Sequence, residues 1–302
     1  MRSTINDTHC HFFSSRYLEL LTQGMTDLPA EGRAEAVAER LQWAPPGTAE
    51  QLADRWIEEL DRHGVSRAAL ISSIPGDEDS VAAAVARHPR RFVGFFMVNP
   101  VAADAEQRLA HAFGEQGLRC ACLFPAMHRY RLDDPRVTKV FEAAAAHRAV
   151  VFVHCGVLTV GVRAKLAMRS VFDLTFGDPL AVAAHAAQFP SVPVIIPHFG
   201  AGFFRETLMA AGQSPNIHLD TSSSNSWMKY YPGLTLDNVF RQALDATGPE
   251  RLLFGTDSSF FPRGWQAEVF DVQYAALEAV GVSEADRALL FGANFDRLFP
   301  VS

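Results

Sequence analysis

Short apolar runs alternate with longer amphipathic stretches along nearly the whole chain. Residues 4–9, 67–72, 92–98, 118–124, 149–155, 192–198, 217–221 and 252–257 are compact apolar runs that predict buried strands. Between most of them lie Ala- and Leu-rich segments with helical spacing, at 49–63, 79–88, 103–116, 134–147, 179–189, 236–247 and 265–280. Strand, helix, strand in repeated order implies parallel strands joined by crossover helices. Strands that are apolar on both faces suit a sheet covered on both sides.

Two architectures compete for such a pattern, a doubly wound open sheet and a closed barrel. No G-x-G-x-x-G or Walker-type loop marks a nucleotide crevice. Eight strand candidates in 302 residues match a (β/α)8 TIM barrel read as a single domain over residues 1–302. Two stretches are too long for plain βα loops. Residues 12–48 follow the first strand and carry Trp43-Ala-Pro-Pro-Gly47; residues 158–178 follow the fifth and carry Arg163, Lys165 and Arg169. Both are expected as insertions over the barrel mouth, where they would act as lids or substrate-selecting walls.

The polar residues that interrupt this pattern fall at strand ends. Asp7-Thr8-His9-Cys10-His11 sits on the first strand candidate, and its period of two puts both imidazoles on one face. His154, His198 and Asp257 end or nearly end the fifth, sixth and eighth candidates. A closed sheet brings these strands together at its carboxyl face, where barrel active sites lie. Histidines and a carboxylate converging there have the composition of a metal site.

Composition narrows the partners. Formal net charge is -7, from 27 basic and 34 acidic residues, which argues against nucleic acid. Lysine occurs only at Lys139, Lys165 and Lys229, so nearly all positive charge is arginine, the residue suited to bidentate carboxylate recognition. The four scattered cysteines, Cys10, Cys120, Cys122 and Cys155, do not make a disulfide scaffold. The early polar run and the lack of any apolar stretch near the ~20 residues of a membrane span lead to a cytoplasmic expectation, with no membrane partner.

With these residues in view, the chain resembles the amidohydrolase superfamily. The likeness is greatest to the branch that includes aminocarboxymuconate-semialdehyde decarboxylase, pyrone-dicarboxylate lactonase and oxalomesaconate hydratase. The matching motifs are D-x-H-x-H at 7–11, V-H-x-G at 153–156, P-H-F-G at 197–200 and L-F-G-T-D at 253–257, with a closing helix at 291–299. The resemblance implies that His9, His11 and His154 bind a metal with Asp257, which also touches the metal's water. It implies that His198 polarises substrate or activates water as a catalytic group beside Asp257. Members with two metals bridge them with a carboxylated lysine from the fourth strand; here the run 119–123 has no lysine and Cys122 stands in its place. One divalent ion is therefore expected, Zn²⁺ first and Mn²⁺ second.

A Zn²⁺ ion held by three imidazoles and a carboxylate would lower a water's pKa to about 7, supplying hydroxide at neutral pH. The leading expectation is a metal-dependent hydrolase acting on an ester, lactone or amide bond of a small carboxylate-bearing substrate. The alternative is a non-oxidative decarboxylase of an aromatic or dienoic acid, in which Asp257 or His198 would deliver a proton to carbon. Arg163, Arg205 and Arg263 are candidate substrate clamps, and Trp227 is a candidate aromatic contact at the rim. Asp7 is a candidate second partner for a ligand histidine, Asp220 a candidate mouth residue. A homodimer is expected by analogy with relatives.

Overall fold

The computed structural model describes residues 4–301. Eight strands form one sheet in sequence order, each parallel to the next. They are β1 (Ile5–His11), β2 (Val65–Ser72), β3 (Phe92–Met97), β4 (Cys120–Leu123), β5 (Val150–Val153), β6 (Val194–Ile196), β7 (Ile217–Asp220) and β8 (Leu252–Leu253). The segment after β8 closes the sheet on β1. Thr8 N donates to Phe254 O, Asp257 N to His9 O and His11 N to Ser258 O, at 2.9, 2.9 and 2.7 Å. The result is the expected (β/α)8 barrel.

Side-chain alternation sorts the strands into two cores. Ile71, Phe95, Cys122, Phe152 and Ile195 point inward and fill the barrel with their neighbours. Leu70, Phe96, Ala121, Val151 and Ile196 point outward and pack under the helices. Each strand therefore buries both faces, which is why the runs read as apolar throughout.

The helices start where the local chemistry supplies partners for their free N–H groups. Thr48 and Gln51 form a reciprocal capping box at the start of Ala49–Arg62. Asp134 and Asp178 cap Pro135–His147 and Pro179–Gln188, each with proline in the first turn. A helix at Phe204–Gln213 fills the β6–β7 crossover, where the sequence pattern named none. The first long insertion carries two short helices, Ser15–Thr22 and Arg33–Leu41. No helix among the described residues is long and apolar enough to cross a membrane.

Strand ends shift most near the polar residues. β1 runs on through Cys10 and His11, which pair with Leu70 and Ile71 of β2, beyond the expected end at His9. β6 and β8 stop early. His198 lies past β6 in a tight turn at φ 55°, and Asp257 lies past β8 at φ 62°. Left-handed backbone at a non-glycine residue is costly and collects at functional sites.

Candidate metal centre and its cavity

A bulge in β1 sets the first two histidines. Asp7 pairs with Ala68 and Cys10 with Leu70, so β1 spends one residue more than β2 across this step. The extra residue turns Asp7 away from His9 and His11. Asp7 instead accepts from His9 N, Thr256 N, Thr256 Oγ1 and Trp265 Nε1 at 2.9, 3.1, 2.5 and 2.7 Å. It pins β1 to the β8 loop and does not touch an imidazole nitrogen. Burial raises its pKa, against the pull of those hydrogen bonds.

The carboxylate that orients His9 is Asp220 at the end of β7. Its Oδ2 is 2.6 Å from His9 Nδ1, and both side chains are buried. A carboxylate only accepts, so Nδ1 donates and Nε2 carries the lone pair. His9 Nε2 is buried with no hydrogen-bond partner. His11 is set in the same way. Ser73 Oγ donates to Ile71 O at 3.1 Å and so accepts from His11 Nδ1 at 2.7 Å. His198 Nδ1 lies 2.9 Å from Ser222 Oγ and 3.2 Å from Ser222 O. His9 and His11 thus turn their Nε2 atoms inward.

Asp257 meets those nitrogens. Its Oδ1 is 3.1 Å from His11 Nε2 and 3.7 Å from His9 Nε2. Donor atoms of His9, His11 and Asp257 all lie within 4.8 Å of one another. His154 and His198 complete the ring of histidines, with His198 4.9 Å from His9 and 5.4 Å from His154 between ring centroids. The structure brings His9, His11 and Asp257 into one ligand group, with His154 and His198 as the next neighbours. His154 Nδ1 is buried without a hydrogen-bond partner.

Electrostatics fit a divalent cation. Burial lowers the pKa of His11, His154 and His198, keeping them neutral. Burial also opposes ionisation of Asp257, yet contact with His11 and the potentials of His9 and His198 hold its carboxyl below the usual range. Burial disfavours protonation of His9, but the charge of Asp220 outweighs it and raises its pKa. The carboxylates of Asp220 and Asp257 and several imidazoles meet at one point, with His9 Nε2 left unpartnered, a donor set that suits a dication.

Glycines make the arrangement sterically feasible. Gly156 follows His154 with φ 72°, and a Cβ there would collide with Gly200 O and Ala201 O after His198. Gly255 lies so close to Asp220, His9 and Ser222 that a Cβ would come within 2.9–3.0 Å of each. The glycines of V-H-x-G and L-F-G-T-D are required by close approach.

The cluster floors a cavity of about 490 Å³. Residues of both long segments line it, among them Phe13, Tyr17 and Trp43 from the first and Val162 and Lys165 from the second. Arg263 and Trp227 also line it. Arg263 donates to Asp257 O at 3.2 Å and to Ser259 Oγ at 2.6 Å, and burial lowers its pKa. Arg163 and Arg205 are not on the cavity wall. Arg163 packs against Phe172 at 5.6 Å, and Arg205 is exposed and paired with Glu206 at 2.6 Å. Cys122 faces inward as a small filler of the apolar barrel core. Ser73, Lys165 and Lys229 are site residues that the sequence reading did not single out for a role; the scarcity of lysine was the available signal, since two of the three line this cavity.

Comparison with known proteins agrees with this picture. The 5-carboxyvanillate decarboxylase LigW from Sphingomonas paucimobilis is 17% identical, with 99% of each chain covered and a TM-score of 0.64. An amidohydrolase from Burkholderia multivorans with bound zinc is 17% identical, covering 99% of this chain and 100% of that one, with a TM-score of 0.63. IDCase from Metarhizium anisopliae is 20% identical, covering 98% and 97%, at 0.63. At these identities the likeness is one of fold. A profile described as Amidohydrolase matches residues 6–301, and the chain therefore belongs to the amidohydrolase family.

Proposed function

We propose that the chain is a metal-dependent hydrolase acting on an ester, lactone or amide bond of a small substrate that bears a carboxylate. The observation that carries this reading is the convergence of His9, His11 and Asp257, with an orphaned His9 Nε2, on the floor of a cavity. His9, His11, His154 and Asp257 would hold one divalent ion, Zn²⁺ first and Mn²⁺ second; the zinc in the Burkholderia multivorans structure supports that order. Such an ion would act as a Lewis acid and lower the pKa of a nearby water to about 7.

The chain's own groups supply the proton chemistry. Asp257, ionised and exposed to the cavity on one edge, is set to accept a proton. His198 faces the same space, with its Nδ1 held by Ser222 at 2.9 Å from Oγ and 3.2 Å from O. That arrangement suits a base that receives a proton and returns it to a leaving group. Arg263, tied to the Asp257 loop, gives a carboxylate a charge-assisted partner beside the reacting bond.

The second reading is a non-oxidative carboxy-lyase, favoured by the similarity to LigW. It needs Asp257 or His198 to arrive protonated so that a proton reaches carbon. Product analysis separates the two on a panel of lactones, esters, amides and aromatic acids. Base consumption without carbon dioxide supports hydrolysis; carbon dioxide release with a carbon–hydrogen bond formed in its place supports the lyase.

A further inference from the structure

One hydroxyl touches two of the histidines at the carboxyl end of the barrel. Ser222 Oγ lies 3.0 Å from His9 Nδ1 and 2.9 Å from His198 Nδ1. Asp220 holds the other side of this arrangement. Its Oδ2 accepts from His9 Nδ1 at 2.6 Å, and its Oδ1 accepts from Ser222 N at 2.7 Å. Asp220 and Ser222 thus form a bracket that joins the histidine read as a ligand to the histidine read as a base.

His198 depends on that bracket. It lies past β6, with His198 and Phe199 both in left-handed backbone at φ 55° and 52°, so the sheet does not set the direction of its ring. Among the described residues, Ser222 supplies both hydrogen-bond partners of the His198 ring, through Oγ and O. His9 and His154 only pack against that ring. Ser222 is itself rigidly placed. It is fully buried, and a Cβ on Gly255 would come within 3.0 Å of its own Cβ. The preceding residue is tied down three times: Thr221 N donates to Leu253 O at 2.9 Å, Thr221 Oγ1 donates to Gln273 Oε1 at 2.6 Å, and Gln273 Nε2 donates to Thr221 O at 2.8 Å.

We infer that Ser222 is a positioning residue, which holds the His198 imidazole at a set distance from His9 and so from the ion that His9 would bind. A hydroxyl both donates and accepts. Oγ therefore keeps its hold on Nδ1 in either tautomer of a neutral His198, and with Ser222 O it still accepts from Nδ1 after the ring takes up a proton. Asp220 serves both histidines, His9 directly and His198 through Ser222. The inference rests on the reading of His198 as the proton carrier at the His9–His11–Asp257 centre, but the hold on its ring is measurable without turnover.

The test reads the ring and the rate separately, on zinc-loaded protein at one pH. Histidine ring nitrogens are followed by long-range proton–nitrogen correlation NMR after selective nitrogen labelling, and those of His198 are assigned by their loss in His198→Ala. The parent should show His198 in one fixed state, with Nδ1 and Nε2 well separated. In Ser222→Ala the two signals should move towards the averaged position of a freely exchanging imidazole, while zinc affinity stays within about threefold of the parent because Asp220 still holds His9. With p-nitrophenyl acetate as probe, kcat should fall about tenfold, the scale of one hydrogen bond, and KM should stay within about twofold. Ser224→Ala, on the exposed loop beyond, should change none of these. Averaged His198 signals in the parent overturn the inference without any variant. So do unchanged His198 signals in Ser222→Ala, a rise in KM at constant kcat, or the same effects in Ser224→Ala. No turnover of the probe by the parent removes the hydrolytic reading and leaves the nitrogen signals to decide the role of Ser222.

Discussion

The two ends of the barrel interior are built from the same alternation of strand side chains and come out as opposites. At the amino end, Phe95 packs on Phe299, and Phe295 joins them from the closing helix at Asn294–Leu298. Arg67 crosses that end over Phe295 at 5.0 Å to reach Asp296 at 2.6 Å. The inward groups there are mainly aromatic, and Arg67 keeps a charge partner in Asp296 although its Nε has no hydrogen-bond partner. At the carboxyl end, His9 Nε2 and His154 Nδ1 are buried without partners, Asp257 faces imidazole nitrogens, and His198 and Asp257 hold left-handed backbone. One end stabilises the fold. The other carries strain and unpaired polarity that the rest of the barrel must support.

The sharpest break should come at Asp257. Asp257→Asn should abolish turnover while circular dichroism and thermal melting stay near those of the parent, because the side chain is a third exposed and packs no core. Near-normal rates in that variant would contradict its assignment as ligand and proton acceptor.

The opposite end should respond in the opposite currency. Phe95→Ala should cost about 3–5 kcal/mol of unfolding free energy, measured by denaturant titration, with activity per folded molecule retained. Loss of activity at full stability would show that the ends are not separable.

His198→Ala should keep its metal and lose about two orders of magnitude in rate, the lower range for acid–base catalysis. Loss of metal along with rate would make His198 a ligand. Asp220→Asn is the mildest of the four. It keeps an oxygen near His9 Nδ1 but removes the charge, and metal affinity should fall about 10–100-fold in a chelator competition. Unchanged affinity would mean that Asp220 only fills space.

Where the sequence was legible, the reason was periodicity. Leu236–Thr247 and the core of each strand follow directly from apolar spacing. The barrel follows from counting, and the convergence of His9, His11 and Asp257 from their places at strand ends. What the pattern could not carry was the backbone's departure from it. The one-residue bulge in β1 leaves no mark in Asp7–His11, yet it hands the orienting of His9 from Asp7 to Asp220. β6 and β8 end early because His198 and Asp257 leave the sheet to meet the cluster. Arg163 and Arg205 read as clamps by residue type alone, and local partners at Phe172 and Glu206 take them away from the cavity. Lys165 and Lys229 were visible as rarities, but only the fold shows that both line one opening.

The central claim is that the unpaired groups at the carboxyl end exist to hold one cation. Metal content by inductively coupled plasma mass spectrometry tests it most directly, on protein purified without added metal or a metal-binding tag, alongside His9→Ala. About one equivalent of zinc or manganese per chain, lost in the variant, is the expected result. No metal after reconstitution, or the same content in His9→Ala as in the parent, would contradict it.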